Sequence, residues 1–118
     1  MRTLYILSDL FNNTIASLYR KEVVVNNLSN SFPGLSSKKI KTIKNTFYKN
    51  FCDLVFETIK SISINESELK NRVKFNNMHL INQHIKDNER VVVLTSHQCN
   101  WEWLLLAAEL NLDSNLHV

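Results

Sequence analysis

Glycine and proline are almost missing from this chain of 118 residues, which has one of each, Pro33 and Gly34, side by side. Sandwiches and barrels of many short strands need turn residues at most connections, so this scarcity argues against them and favours a helix-rich chain. No apolar run comes near the roughly 18 to 20 residues that cross a bilayer. The short apolar stretch at the start carries Arg2, Ser8 and Asp9 and is typical of neither a transmembrane helix nor a secretory signal.

Cysteine is scarce as well, since Cys52 and Cys99 are the only two, and they lie far apart without a metal-binding spacing. Two thiols in a chain of this length are no disulfide framework, so we expect a reducing compartment. His79, His84 and His117 form no ligand set with a cysteine or a carboxylate pair. The sequence therefore predicts no metal and no cofactor.

Composition and net charge indicate a folded, mildly basic protein. With 44% hydrophobic and 21% charged residues, the chain can form a packed core, which argues against intrinsic disorder. The net charge of +3 is mildly basic and favours an acidic partner or an anionic membrane surface. Nucleic acid is not implied by a charge of this size.

The first half of the chain has the three-and-four spacing of apolar residues that predicts amphipathic helices. A first helix covers most of residues 3–19, and a second stretch, 20–32, ends at Pro33 because the residue before a proline disfavours helix. Ser36 or Ser37 then caps a long helix of about 25 residues.

The start of this long helix concentrates positive charge. Its first acidic residue, Asp53, is preceded by five lysines: Lys38, Lys39, Lys41, Lys44 and Lys49. Positive charge at a helix start opposes the helix dipole, so helix stability does not explain the cluster. A solvated face is the simplest interpretation, and contact with an acidic protein or anionic lipid headgroups is the functional one.

The next elements are short. Asn65 and Glu68 form a capping box that predicts a helix to about Asn71. Residues 73–75 are typical of a short extended segment, and the apolar pattern at 78–85 predicts another helix that ends near residue 88.

Residues 91–95, with the sequence Val-Val-Val-Leu-Thr, predict a strand that is apolar on both faces and therefore buried in a parallel sheet. Asn100 caps a following helix, and residues 115–118 open a further strand. This order is a βαβ unit. We therefore predict an α/β fold, α+β within this chain: an N-terminal helical region at 1–72, then the first βαβ portion of an α/β domain at 73–118. Because such a sheet needs further strands, we expect the chain to be part of a longer protein.

Polar residues follow the predicted strand, at the edge where open α/β sheets place their active sites. With His97 in the loop and Glu102 in the first helical turn, the carboxylate can fix the imidazole tautomer and leave the other ring nitrogen to accept a proton from a hydroxyl. The structural alternative is a solvated histidine beside an ordinary helix-capping glutamate. Trp101 and Trp103 are interpreted as core residues in preference to interfacial anchors.

The segment 96–103, Ser-His-Gln-Cys-Asn-Trp-Glu-Trp, resembles the H-x-x-x-x-D/E block of the lysophospholipid acyltransferase superfamily. Its Asn-Trp-Glu ending, together with Ser31-Phe32-Pro33 and the segment 47–60, is similar to the bacterial lipid A biosynthesis acyltransferases, the lauroyl and myristoyl transferases. The resemblance extends over nearly all of the chain. Two features depart from the family: Cys99 stands where the family has glycine, which strains the turn if φ is positive there, and the family's later blocks have no counterpart.

The resemblance implies transfer of a fatty acyl chain from acyl carrier protein to a hydroxyl of a lipid A precursor or related glycolipid. It implies that His97 is the base, that Glu102 orients it, and that Asn100 and Trp101 contact substrate. The reaction is expected at the cytoplasmic face of the inner membrane, with the protein bound peripherally. Contact with the carrier protein or the membrane is expected from four of the lysines: Lys38, Lys39, Lys41 and Lys44.

Two other functions remain open at this point. The first is a non-catalytic protein that binds the membrane or the carrier protein. Whichever function holds, we expect this chain on its own to be catalytically inactive. The second is a basic helical nucleic-acid binder, which the lack of arginine and of interleaved aromatic residues in the lysine cluster disfavours.

Overall fold

The computed structural model describes residues 1–113, and 69% of these residues are helical. They form six helices: α1 Arg2–Leu18, α2 Lys21–Ser31, α3 Ser37–Ser61, α4 Glu66–Arg72, α5 Met78–Lys86 and α6 Trp101–Glu109. The chain divides into two units, Met1–Ile59 and Lys60–Val118, with the boundary near the end of α3. None of the helices within 1–113 is both long and apolar enough to cross a bilayer.

The predicted helices are confirmed, and side-chain caps mark the starts of α3, α4 and α6. The chain leaves the helical conformation at residues 32–36, around Pro33, and α3 begins after Ser36, whose hydroxyl accepts a hydrogen bond from the Lys39 amide at 3.3 Å. Asn65 caps α4 by accepting from the Glu68 amide at 2.9 Å. The Glu68 carboxylate completes no capping box, because it pairs with Arg72 at 3.2 Å instead.

In the first unit, α1 contacts α3 through polar side chains. The buried Ser8 hydroxyl donates to the Asp53 carboxylate at 2.5 Å, and the Tyr5 hydroxyl donates to the Glu57 carboxylate at 2.5 Å. The buried Cys52 thiol donates to the backbone carbonyl of Ser8 at 3.1 Å. Phe11 of α1 also packs against Phe56 of α3, with 6.0 Å between the ring centroids, so the side of α1 that faces α3 carries both polar and aromatic side chains.

An aromatic cluster closes the other end of α1. The buried Tyr48 hydroxyl donates to the Tyr19 carbonyl at 2.7 Å, and the Tyr19 ring stacks on Phe51 with 4.7 Å between centroids. Burial raises the pKa of Tyr48 above its ordinary value, and the neighbouring Tyr19 raises it further. Tyr48 is thus a neutral hydrogen-bond donor in the folded protein.

The predicted α/β class is wrong for residues 1–113, which contain no strand. Residues 91–95 are irregular and exposed, with Val92 84% and Leu94 93% accessible to solvent, and residues 73–75 are irregular too. A strand exists only where a second strand takes up its backbone hydrogen bonds, and no segment within 1–113 does so. The predicted βαβ portion is therefore not formed there, and the second strand expected at 115–118 lies outside the described residues.

Candidate functional site

The segment that carries the predicted site residues runs from the irregular stretch 90–99 into the start of α6. Asn100 is the N-cap of this helix, since its side-chain oxygen accepts a hydrogen bond from the Trp103 amide at 3.0 Å, as its sequence predicts. Glu102 lies in the first turn, where the partial positive charge of the helix N-terminus stabilises a carboxylate. The cap therefore fixes where Glu102 stands.

Trp103 holds this end of α6 in the core of the second unit. Its side chain is buried, its indole N–H donates to the Ser61 hydroxyl at 2.8 Å, and the Arg72 guanidinium lies 5.8 Å from the ring centroid. The interpretation of Trp103 as a core residue is confirmed. Trp101, on a different side of the helix, is only half-buried.

The backbone turns at Cys99, just before the cap. Its φ of 53° lies in the left-handed region, which costs an L-residue roughly 1–2 kcal/mol and which glycine adopts without that cost. This is the position at which the sequence has cysteine in place of the family's glycine. The strain that the sequence predicted for a positive φ is therefore present, and the exposed Cys99 side chain adds no core packing that offsets it.

His97 lies before this turn and is exposed. Its ring packs on Trp101, with 4.6 Å between the ring centroids and an interplanar angle of 50°. Glu102 is half-buried, and within residues 1–113 no hydrogen bond or ion pair links it to His97. The structure thus brings His97 to Trp101 and leaves the expected contact between imidazole and carboxylate unmade.

The four candidate lysines lie in the first two turns of α3, in the first unit. Lys38, Lys39 and Lys41 are exposed and Lys44 is half-buried, and none of the four forms an ion pair with a described residue. Lys49, further along α3, pairs with Asp9 at 3.3 Å. The lysine cluster therefore has no carboxylate partner among the described residues.

A groove of about 270 Å³ lies between α2 and α3, and the sequence did not predict it. Apolar side chains form much of its lining, and Lys41 and Lys44 also line it. The one signal for it in the sequence is Ser31-Phe32-Pro33, because Phe32 and Pro33 both line the groove. The segment therefore ends α2 and also supplies apolar side chains to the groove.

Comparison with known proteins gives one match. The family model for bacterial lipid A biosynthesis acyltransferases matches residues 7–109, which include most of α1, all of α2 to α6 and the segment 96–103. No curated protein matches the chain, and no solved structure matches it either.

Proposed function

Because this chain belongs to the bacterial lipid A biosynthesis acyltransferases, an acyltransferase family, we propose that it transfers a fatty acyl chain from acyl carrier protein to a hydroxyl of a lipid A precursor or related glycolipid. The observation that carries the proposal is the family match over 7–109, a range that includes an exposed imidazole, His97, five residues before a carboxylate at a helix start.

His97 acts as the general base in this proposal. A neutral imidazole nitrogen accepts the proton of the acceptor hydroxyl while the oxygen attacks the thioester carbonyl. The tetrahedral intermediate collapses, the carbon–sulfur bond breaks, and the carrier thiolate takes up a proton from the imidazolium. The step yields an ester and a free thiol, and the base is restored without an oxidant or a cofactor.

Glu102 orients the base and stabilises the imidazolium, as a carboxylate beside a catalytic histidine does. This role requires the His97 ring to turn from Trp101 toward Glu102, the next residue of α6. The stretch 90–99 is irregular and exposed, so few contacts oppose such a reorientation. Asn100 keeps its cap and lies next to the reacting groups, and the face of Trp101 exposed by that movement contacts the acyl chain.

The location that we propose is the cytoplasmic face of the inner membrane, with α1 on the lipid surface. Tyr5 and Ser8 of α1 face α3, whereas the outer side of α1 exposes large apolar residues, among them Ile6 at 66%, Leu10 at 71% and Leu18 at 80%. No charged residue lies between these three on the helix face. Arg2 and Arg20 border the two ends of α1 and suit anionic headgroups.

The proposal is tested by acyl transfer in the full-length product of the gene, with an acyl carrier protein thioester and a lipid A precursor as substrates. His97→Ala should abolish transfer, and Glu102→Gln should reduce it less, because the amide still fills the position of the orienting carboxylate. His79→Ala, a change at an exposed histidine of α5, is the matched control and should leave turnover as it is. Near-normal turnover in His97→Ala would remove this mechanism.

A second candidate function is a carrier- or membrane-binding protein without turnover. The observation that favours it is the unmade contact between His97 and Glu102 within residues 1–113. Binding of carrier protein and vesicles by a wild-type protein that transfers no acyl chain would select this function over the first.

A further inference from the structure

The groove between α2 and α3 combines an apolar interior with positive charge. Its floor includes Ile40, which is 8% exposed, and its walls are formed by more accessible apolar side chains, Val25, Phe32 and Leu35. Lys41 and Lys44 line the same groove, one helical turn apart on α3. Residues at this spacing lie on one face of a helix with about 5–6 Å between their Cβ atoms, so both lysines can reach one ligand in the groove.

The segment around the groove is rich in basic residues and poor in acidic ones. Residues 10–52 contain seven basic residues and a single acidic one, Glu22, whereas the rest of the chain contains seven basic and ten acidic residues. The basic excess of the protein therefore falls within residues 10–52, the segment that includes the groove. The cluster Lys38, Lys39, Lys41 and Lys44 has no carboxylate partner among residues 1–113, so its charge is available to an external anion.

We propose that this groove is the docking site for the acyl carrier protein, and that it binds an acidic helix of that partner. One apolar side chain of the helix fills the groove over Ile40, and carboxylates one turn apart on the same helix pair with Lys41 and Lys44. This helix-in-groove arrangement uses an apolar anchor for affinity and flanking charges for orientation. The inference rests on the proposed function, which makes the carrier protein the acyl donor.

The shape of the groove favours a protein helix over a lipid surface. A bilayer is flat on the scale of a helix and meets apolar groups that protrude, as those on the outer side of α1 do. The apolar interior at Ile40 is recessed between two helices, where a side chain from a convex helix reaches and a flat surface does not.

The test is a titration of the 118-residue chain with fluorescently labelled holo acyl carrier protein at low salt. The double change Lys41→Glu with Lys44→Glu should weaken binding at least tenfold, because it places like charges opposite the acidic helix. The matched control, Lys70→Glu with Lys74→Glu, makes the same change of net charge on exposed residues of the second unit and should alter the affinity less than twofold.

A neutral pair of variants tests the apolar anchor. Phe32→Ser removes a side chain that lines the groove and is 49% exposed, so the fold should survive, as far-ultraviolet circular dichroism will verify. We expect it to weaken carrier binding about threefold to tenfold while the dependence on salt stays the same. Val23→Ser, a change at a similarly exposed residue of α2 that does not line the groove, should have no effect.

A parallel titration with vesicles of phosphatidylglycerol separates the two anionic partners. The proposal is overturned if the wild-type chain does not bind the carrier protein, if the control variants weaken binding as much as the groove variants, or if the groove variants lose vesicle binding and keep carrier binding. Failure of acyl transfer in the full-length protein with groove-dependent carrier binding intact would contradict the proposed function alone. Normal transfer by the groove variants at subsaturating acyl carrier protein would contradict this inference alone.

Discussion

Replacing Cys99 by glycine should stabilise the second unit by roughly 1 kcal/mol. The φ of 53° at this position costs an L-residue roughly 1–2 kcal/mol, a strain that glycine does not have. Glycine also has more conformational freedom than cysteine in the unfolded chain, which lowers the free energy of unfolding by about 0.4–1 kcal/mol. Because the Cys99 side chain is exposed, its removal costs little packing, and the difference between the first two effects sets the result.

Urea unfolding followed by tryptophan fluorescence measures this difference. The chain has two tryptophans, Trp101 and Trp103, and both are in α6, so the signal reports on the unit that contains the turn. Cys99→Ala is the control, because it removes the thiol and retains the Cβ atom that strains the left-handed backbone. It should remain within about 0.5 kcal/mol of the wild type. Equal stability of the glycine and alanine variants would refute the strain argument.

Three further predictions concern stability. Burial raises the pKa of Tyr48, so the folded state favours the neutral phenol. The free energy of unfolding should therefore decline as the pH rises above about 10, the ordinary tyrosine value, toward the higher pKa of the folded state. Urea unfolding across that pH range should show a smaller decline in Tyr48→Phe. Ser8→Ala removes the hydrogen bond to Asp53 and should cost about 1.5–3 kcal/mol in chemical unfolding, whereas Ser17→Ala, at an exposed serine of α1, should cost under about 0.5. Asn100→Ala removes the cap of α6 and should cost about 1 kcal/mol by tryptophan fluorescence, and Asn100→Asp should restore most of it; an alanine variant as stable as the wild type would contradict the cap.

The helices could be predicted because the signals that begin and end them are local. Pro33 restricts the residue before it, and Ser36 and Asn65 accept hydrogen bonds from amides three residues ahead. These effects depend on neighbours within one turn, which the sequence supplies directly. Helix bounds therefore follow from the sequence to within about two residues.

Tertiary contacts were harder to predict because the sequence pattern does not say what lies opposite a given residue. The apolar run 91–94 is suited to a strand, but a strand also needs a backbone partner, and within residues 1–113 there is none. For α1, the apolar pattern does not show which of its residues meet α3. Tyr5 and Ser8 form hydrogen bonds to that helix, whereas Leu10 and Leu18 are exposed. In both cases hydrophobicity indicates only that a side chain favours burial. Which segment it contacts depends on the residues opposite it, and the local pattern does not contain that information.

The two residues of the candidate catalytic pair differ in how firmly the fold places them. Glu102 belongs to a helix whose start is fixed by the Asn100 cap and by the buried Trp103, and both signals can be read from the sequence. His97 precedes the strained turn at Cys99 and follows an irregular, exposed stretch. Within residues 1–113 its ring packs on Trp101, a contact that no local signal in the sequence specifies. The position of Glu102 in the first turn could thus be predicted from local capping, whereas the ring contact of His97 could not. In the proposed reaction the carboxylate is the fixed member of the pair, and it is the imidazole that must turn to meet it.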